Sequence, residues 1–364
     1  MLAQRDRTWY RLSKSVKRNK VFVSAAATAL LALLSGAALA LWQARVAQVE
    51  KNTANEIKDF VTSIFRDANP YQTVGKPLSA VELLQQAKNK IDQINISRID
   101  LRVELLNLVA SSLIGLDDVD AAEAVARQAM IEARRLPHNH RQSLHARLLM
   151  AQVHRFLGRT EEMRHELQEA MPALRSQPSA YAEDLVLALE NRAHLAINAG
   201  EYDKAQSAAK EGLDLARARL GEKDPRTVAV FMVLAESYEY SDKRADVALG
   251  IAERAFQLAS NVYQDRPKHP RMIEMRRIYG RALARAGQVR LGIEQMRKAV
   301  RDASDVFGPN SPMVGSFTGD LARFERRSGD IKTALETSTR SLDIHPRYGG
   351  ATRMPMRAGL PSGE

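Results

Sequence analysis

The stretch "GEYDKA", Gly200–Ala205, is one of a set: "GRTEEM" begins at Gly158, "GQVRLG" at Gly287 and "GDIKTA" at Gly329, with weaker copies, "DDVDAA" and "KRADVA", at Asp117 and Lys243. The six starts are 41, 42, 43, 44 and 42 residues apart. A constant period of this size marks an array of supersecondary units, none of which can bury its apolar face without its neighbours. Each copy reads as the turn of one helix–turn–helix unit.

Working outward from the turns, three registers should be small if paired helices approach closely. Seven residues before each turn stand Ala110, Ala151, Ala193, Glu236, Gly280 and Ala322. Five after it stand Ala122, Met163, Ala205, Ala248, Gly292 and Ala334, and twelve after it Ala129, Ala170, Gly212, Ala255, Ala299 and Ser341. All but Glu236 and Met163 are Ala, Gly or Ser. This set of spacings resembles the tetratricopeptide repeat, in the longer form found in kinesin-light-chain-like arrays. The resemblance covers residues 98–345 and implies an all-α fold, a right-handed α-solenoid of about six repeats. Composition agrees: aromatics are 5% of the chain, and no stretch alternates with period two. Pro225, Pro270 and Pro312 fall just inside the following helices, where a missing N–H costs nothing. The Met and Leu residues between them read as core.

The chain has no cysteine, which excludes disulfides and thiolate metal sites. Its net charge of +11 is concentrated at the ends. Residues 1–20 contribute +6 and residues 346–364 contribute +2, leaving +3 for everything between, too little for a nucleic-acid footprint. The Gly- and Pro-rich residues 346–364 are expected to be a disordered tail.

After the basic segment 1–20 comes an uncharged run, Val21–Trp42. As a helix it would reach roughly 33 Å, enough for a hydrocarbon core of about 30 Å. It is expected to be a single transmembrane helix in contact with the bilayer, with the N-terminus cytoplasmic by the positive-inside rule. The protein would then sit in a bacterial inner membrane with its repeats outside the cytoplasm. The small residues before Leu41 leave a cleaved signal, and hence a freely periplasmic scaffold, as the alternative. Residues 43–97 read as a helical stalk and linker. Its stripe of Val46, Val49, Thr53, Ile57, Phe60 and Ile64 suits either a coiled-coil homodimer or packing on the first repeat.

The basic segment, the Ala/Leu-rich span ending "LWQARVA", and then "DFVTSIFRDANP" and "LSAVELLQQAKNKID" ahead of the repeats resemble the C-terminal half of bacterial transmembrane serine/threonine protein kinases. That resemblance implies a sensor or docking role. It leaves open a full-length kinase whose catalytic domain is encoded upstream of Met1. Within the chain there is no Gly-rich loop, HRD loop or DFG motif, and no P-loop, G-x-S-x-G or H-E-x-x-H. No catalytic residue and no cofactor is therefore expected. His138, His140 and His145 lack the three- or four-residue spacing of a helical zinc site and read as a helix entry, so no metal is expected either.

Binding has positive support. In such arrays the first helix of each pair lines a concave groove through residues ten, six, three and two before the turn. In the last two repeats these registers hold Arg277, Arg281 and Arg285, then Arg323, Arg326 and Arg327; earlier ones hold Gln152 and Arg155, then Glu190, His194 and Asn198. Guanidinium forks bind carboxylates bidentately, so the C-terminal groove is expected to receive an acidic protein or peptide segment. The competing reading pairs these arginines with Glu274, Glu325 or Asp320 on a solvated face.

Overall fold

In a computed structural model of the protein, the described residues are 79–93, 98–241 and 244–344, with scattered helical positions between residues 34 and 62. The chain divides into two units, Met1–Pro77 and Leu78–Glu364.

In the first unit, residues 34–37 and 39–42 of the expected span are helical and exposed, and the rest of Val21–Trp42 lies outside the described residues. Among the described residues, no helix is long and apolar enough to cross a membrane. This finding overturns the inner-membrane location expected from the apolar run: a window of hydropathy reports that a segment is apolar, whereas crossing requires one uninterrupted helix of about 20 such residues. The alternative cleavage point falls on the same segment. Of the expected stalk stripe, only Phe60 is described, and it is buried. The tail 346–364 lies outside the described residues.

The second unit begins with α1, Ala80–Gln93, whose entry is a capping box: Ser79 N–H donates to Glu82 Oε2 at 2.7 Å while Glu82 N–H donates back to Ser79 Oγ at 3.2 Å. Six helix pairs follow. They are α2 Ile99–Gly115 with α3 Val119–Ala133, α4 Arg141–Phe156 with α5 Thr160–Ser176, and α6 Ala182–Asn198 with α7 Tyr202–Arg219. The last three are α8 Pro225–Tyr240 with α9 Ala245–Val262, α10 Pro270–Arg285 with α11 Val289–Phe307, and α12 Pro312–Arg327 with α13 Ile331–Ile344.

The periodic residues are the turns. Gly158, Gly200, Gly287 and Gly329 have φ of 69°, 73°, 89° and 88°, and Asp117 takes the same left-handed place at 64°. The residue after each donates its N–H to the carbonyl five positions back: Asp118 to Leu113, Arg159 to His154, Glu201 to Ala196, Gln288 to Leu283 and Asp330 to Glu325. This is a Schellman closure, which satisfies a carbonyl that the helix end leaves open. Pro225, Pro270 and Pro312 open their helices, each behind a capping residue: Asp224, His269 and Ser311.

The small registers lie where helices touch. Ala110, Ala151, Ala193, Ala122, Ala205, Ala129 and Ala170 are fully buried. At the α10/α11 crossing a Cβ on Gly292 would sit 2.5 Å from the Gly280 carbonyl oxygen and 2.7 Å from Ala284 Cβ, so only glycine permits this approach. Leucine and methionine fill the layer between pairs, for example Leu148, Met163, Leu167 and Leu189 among α4, α5 and α6. Burying each such side chain stabilises the fold by about 1.5–3 kcal/mol. The two departures from the small registers are both accommodated in the interior, Met163 as core and Glu236 as part of a charge network.

Candidate functional site

Each first helix packs on the next first helix, α2 on α4, α4 on α6, α6 on α8 and α8 on α10, whereas no successive second helices pack to that extent. The array therefore curls with α4, α6, α8, α10 and α12 on its inner face. Their side chains one period apart are neighbours, as in the 2.6 Å contact of His145 Nδ1 with Asp184 Oδ1 and the bond from Asn191 Nδ2 to the Leu148 carbonyl.

The C-terminal half of this face holds a buried charge network. Arg277 donates to Asp320 at 2.6 Å and lies 3.5 Å from Glu236. Arg281, only 1% exposed, is bound to Glu239 and to Asp320 (3.2 Å), and Arg285 Nε is 2.6 Å from Glu239. Arg323, about half exposed, reaches Asp320 at 3.4 Å. Burial alone would push the Asp320 carboxyl up, but Arg281, Arg277 and Arg323 outweigh it and hold it at about 2. For Glu236 burial wins over Arg277 and Arg281, and its pKa is raised. The rings of Phe317 and Tyr240 lie against Arg277 and Arg281, with guanidinium carbons 4.8 and 4.5 Å from the ring centroids.

The structure thus brings together Arg277, Arg281, Arg285 and Arg323 around carboxylates of this chain. Arg326 and Arg327 are exposed near the turn before α13, and Arg327 lines a cavity of about 350 Å³ with Tyr238, Glu239, Arg285 and Phe324. Of the three acids weighed from the sequence, Asp320 joins the network, Glu274 lies 3.7 Å from Arg271, and Glu325 accepts from Arg297 on α11 at 2.7 Å. Glu236 and Glu239 were missed. The signal was present, since Arg277 and Arg281 stand 41 and 42 residues from these acids, one period away.

The N-terminal half is less completely paired. Gln152, Glu190 and His194 are buried, Arg155 is half-buried and Asn198 is exposed. Glu190 lies 3.6 Å from Arg271, and His194 Nδ1 lies 3.9 Å from Glu236. Burial, reinforced by Arg155, Arg271 and Arg277, holds the His194 pKa well below the usual histidine range, so its ring is neutral at pH 7. Burial also pulls the Arg155 pKa down, against the fields of Glu274 and Glu190. His140 caps α4 by accepting from Gln142 N–H, which places it at a helix entry. Among the described residues, no cluster of three or more His, Cys, Asp or Glu is arranged to hold a metal ion.

No protein-family model matches the chain, and no curated protein matches it. Solved structures do match. A Rap protein in complex with competence and sporulation factor is 17% identical, with a TM-score of 0.57 over 75% of this chain and 71% of that one. BtubC (BKLC) from P. vanneervenii is 18% identical, with a TM-score of 0.48 over 64% of this chain and 94% of that one. A kinesin-light-chain array of nearly identical repeats from Podosopora anserina is 16% identical, with a TM-score of 0.42 over 58% and 98%. At these identities the likeness is one of fold, and the described residues of this chain form an all-α solenoid of tetratricopeptide-like repeats.

Proposed function

We propose that the array is a non-catalytic protein-binding module whose inner face, formed by α4, α6, α8, α10 and α12, takes an extended segment of a partner protein. The observation that carries this reading is the content of that face. Its floor is a layer of buried ion pairs, and on that rigid floor stand accessible polar side chains, Arg155, Asn198, Arg323, Arg326 and Arg327. Such preorganised donors and acceptors suit a polypeptide, whose backbone supplies both partners at each residue. The Rap protein of similar fold is itself in complex with competence and sporulation factor, a precedent for an array of this kind holding a partner.

Since Arg277 and Arg281 are neutralised by Asp320, Glu236 and Glu239, the acid-binding capacity of the C-terminal half rests on Arg323, Arg326 and Arg327 at its open edge. A narrower role, the docking half of a serine/threonine kinase receptor, has its support in the resemblance of the segments ahead of the repeats, whose most specific part, "DFVTSIFRDANP", lies mostly outside the described residues. A homodimer through the stalk has its support in the spacing of Val46, Val49, Thr53, Ile57, Phe60 and Ile64.

The test is a photocrosslinking amino acid placed at Asn198 on α6 or at Lys210 on the outer helix α7, followed by mass spectrometry of adducts formed in the native host. Adducts concentrated at the Asn198 site are expected. Equal yields from Lys210 would sink the inner-face reading.

A further inference from the structure

We propose that Arg155 is the anchoring point for a single carboxylate of the bound segment, an inference that rests on the inner-face reading above. On the inner face six guanidinium groups, those of Arg155, Arg271, Arg277, Arg281, Arg285 and Arg323, lie among five carboxylates, those of Glu190, Glu236, Glu239, Glu274 and Asp320. Five of the six arginines have a carboxylate of the network within 4 Å: Arg271 has Glu190 and Glu274, Arg277 and Arg281 share Asp320 and Glu236, Arg285 has Glu239, and Arg323 has Asp320. Among the described residues Arg155 has none, and of the groove arginines only Arg326 and Arg327, both exposed near the turn before α13, share that state.

The environment of Arg155 explains why the deficit matters. Its Nε is buried without a hydrogen-bond partner, while one face of the guanidinium lies 4.2 Å over the Phe156 ring. The ring covers one face of the guanidinium, and no described residue accepts a hydrogen bond from its edge. The carboxylates whose fields reach it most strongly, Glu274 and Glu190, are held by Arg271 instead. Neutral His194 adds no second cation to compete for the carboxylate. A planar fork with an unfilled donor edge in a face of net positive charge recognises a carboxylate, which accepts two parallel N–H bonds. The same chemistry comes from an Asp or Glu side chain or from a chain terminus.

The experiment pans a random heptapeptide phage library on the full chain in two formats, one with the peptide at the amino end of the coat protein and one ending in a free carboxylate. Clones are then measured against Arg155→Gln, Arg155→Lys and Asn198→Trp, each verified as folded by its circular-dichroism melt. The expected result is clones that carry one acidic group and bind Arg155→Gln roughly tenfold to a hundredfold more weakly, with partial retention on Arg155→Lys. Enrichment in the first format assigns a side-chain carboxylate, and enrichment confined to the second assigns a terminus. Clones without an acidic group, or with unchanged binding to Arg155→Gln but blocked by Asn198→Trp, would overturn the anchor and leave the inner-face reading standing. Clones indifferent to Asn198→Trp, or no clones at all, would overturn both.

Discussion

An imidazole that the fold keeps neutral becomes a liability as acid is added. His194 has its pKa depressed by burial first and then by Arg155, Arg271 and Arg277. Below about pH 6.5 the unfolded chain takes a proton at this position that the native chain refuses, so stability present above that pH is lost as pH falls. His194→Gln is expected to flatten the urea midpoint against pH between about 6.5 and 5, removing a slope of up to about 1.4 kcal/mol per pH unit. His154 and His269, also depressed by burial, supply the slope that remains. A variant with the parent's slope would show that His194 protonates normally in the native state. Glycines offer a second contrast at this scale. Gly292→Ala forces a Cβ onto the Gly280 carbonyl and is expected to cost about 1–3 kcal/mol. Gly250→Ala, inside α9 with nothing within 4 Å, should instead stabilise by roughly 0.5–1 kcal/mol. Thermal melts of the two variants read both signs. The period made Gly292 legible as a small position in the sequence. The reason it must be glycine rather than alanine is a backbone-to-backbone distance, and no residue pattern reports that.

Helices in an array are stabilised by their followers, and among the described residues α13 has none. Six residues after the turn, α11 presents Ile293, buried against α12, while α13 presents Leu335, 68% exposed. The same register therefore predicts different outcomes: Ile293→Ala is expected to cost about 2–5 kcal/mol, and Leu335→Ala less than about 0.5 kcal/mol. Denaturant midpoints compare them, and a large loss for Leu335→Ala would mean that α13 is covered by something in solution. Helix identity, turn position and helix entry were legible here because each is set by local chemistry: a left-handed turn residue, a proline at the first position, a cap. The pairing of Arg277 and Arg281 was legible only in part. Glu274 and Asp320 stand near these arginines in their own and the following repeat, while the period that fixed the turns also brings Glu236 and Glu239, one repeat earlier, alongside them.

Curvature belongs to the whole molecule, and nothing in the repeat pattern states it. Its clearest trace is a contact between Asp117, in the first turn, and the start of α12: Asp117 Oδ2 accepts from Met313 N–H at 2.9 Å, 196 residues along the chain. Asp117 thus serves twice, as a left-handed turn residue and as a bond to the sixth repeat. Asp117→Gly keeps the turn geometry and deletes the bond, so it is expected to raise the radius of gyration in small-angle scattering without loss of helix content. An unchanged radius would show that other contacts hold the first and sixth repeats together.

A repeat array is ordinarily a line of nearest-neighbour contacts that unravels from whichever terminus is weaker. The Asp117 bond turns that line into a loop. A hydrogen bond to a carboxylate contributes about 1.5–3 kcal/mol, and a segment held along the inner face would leave more slowly with it than without it. The lifetime of such a complex is then governed partly by a hydrogen bond that never touches the ligand, and its exchange rate becomes a property of the clasp as much as of the binding surface.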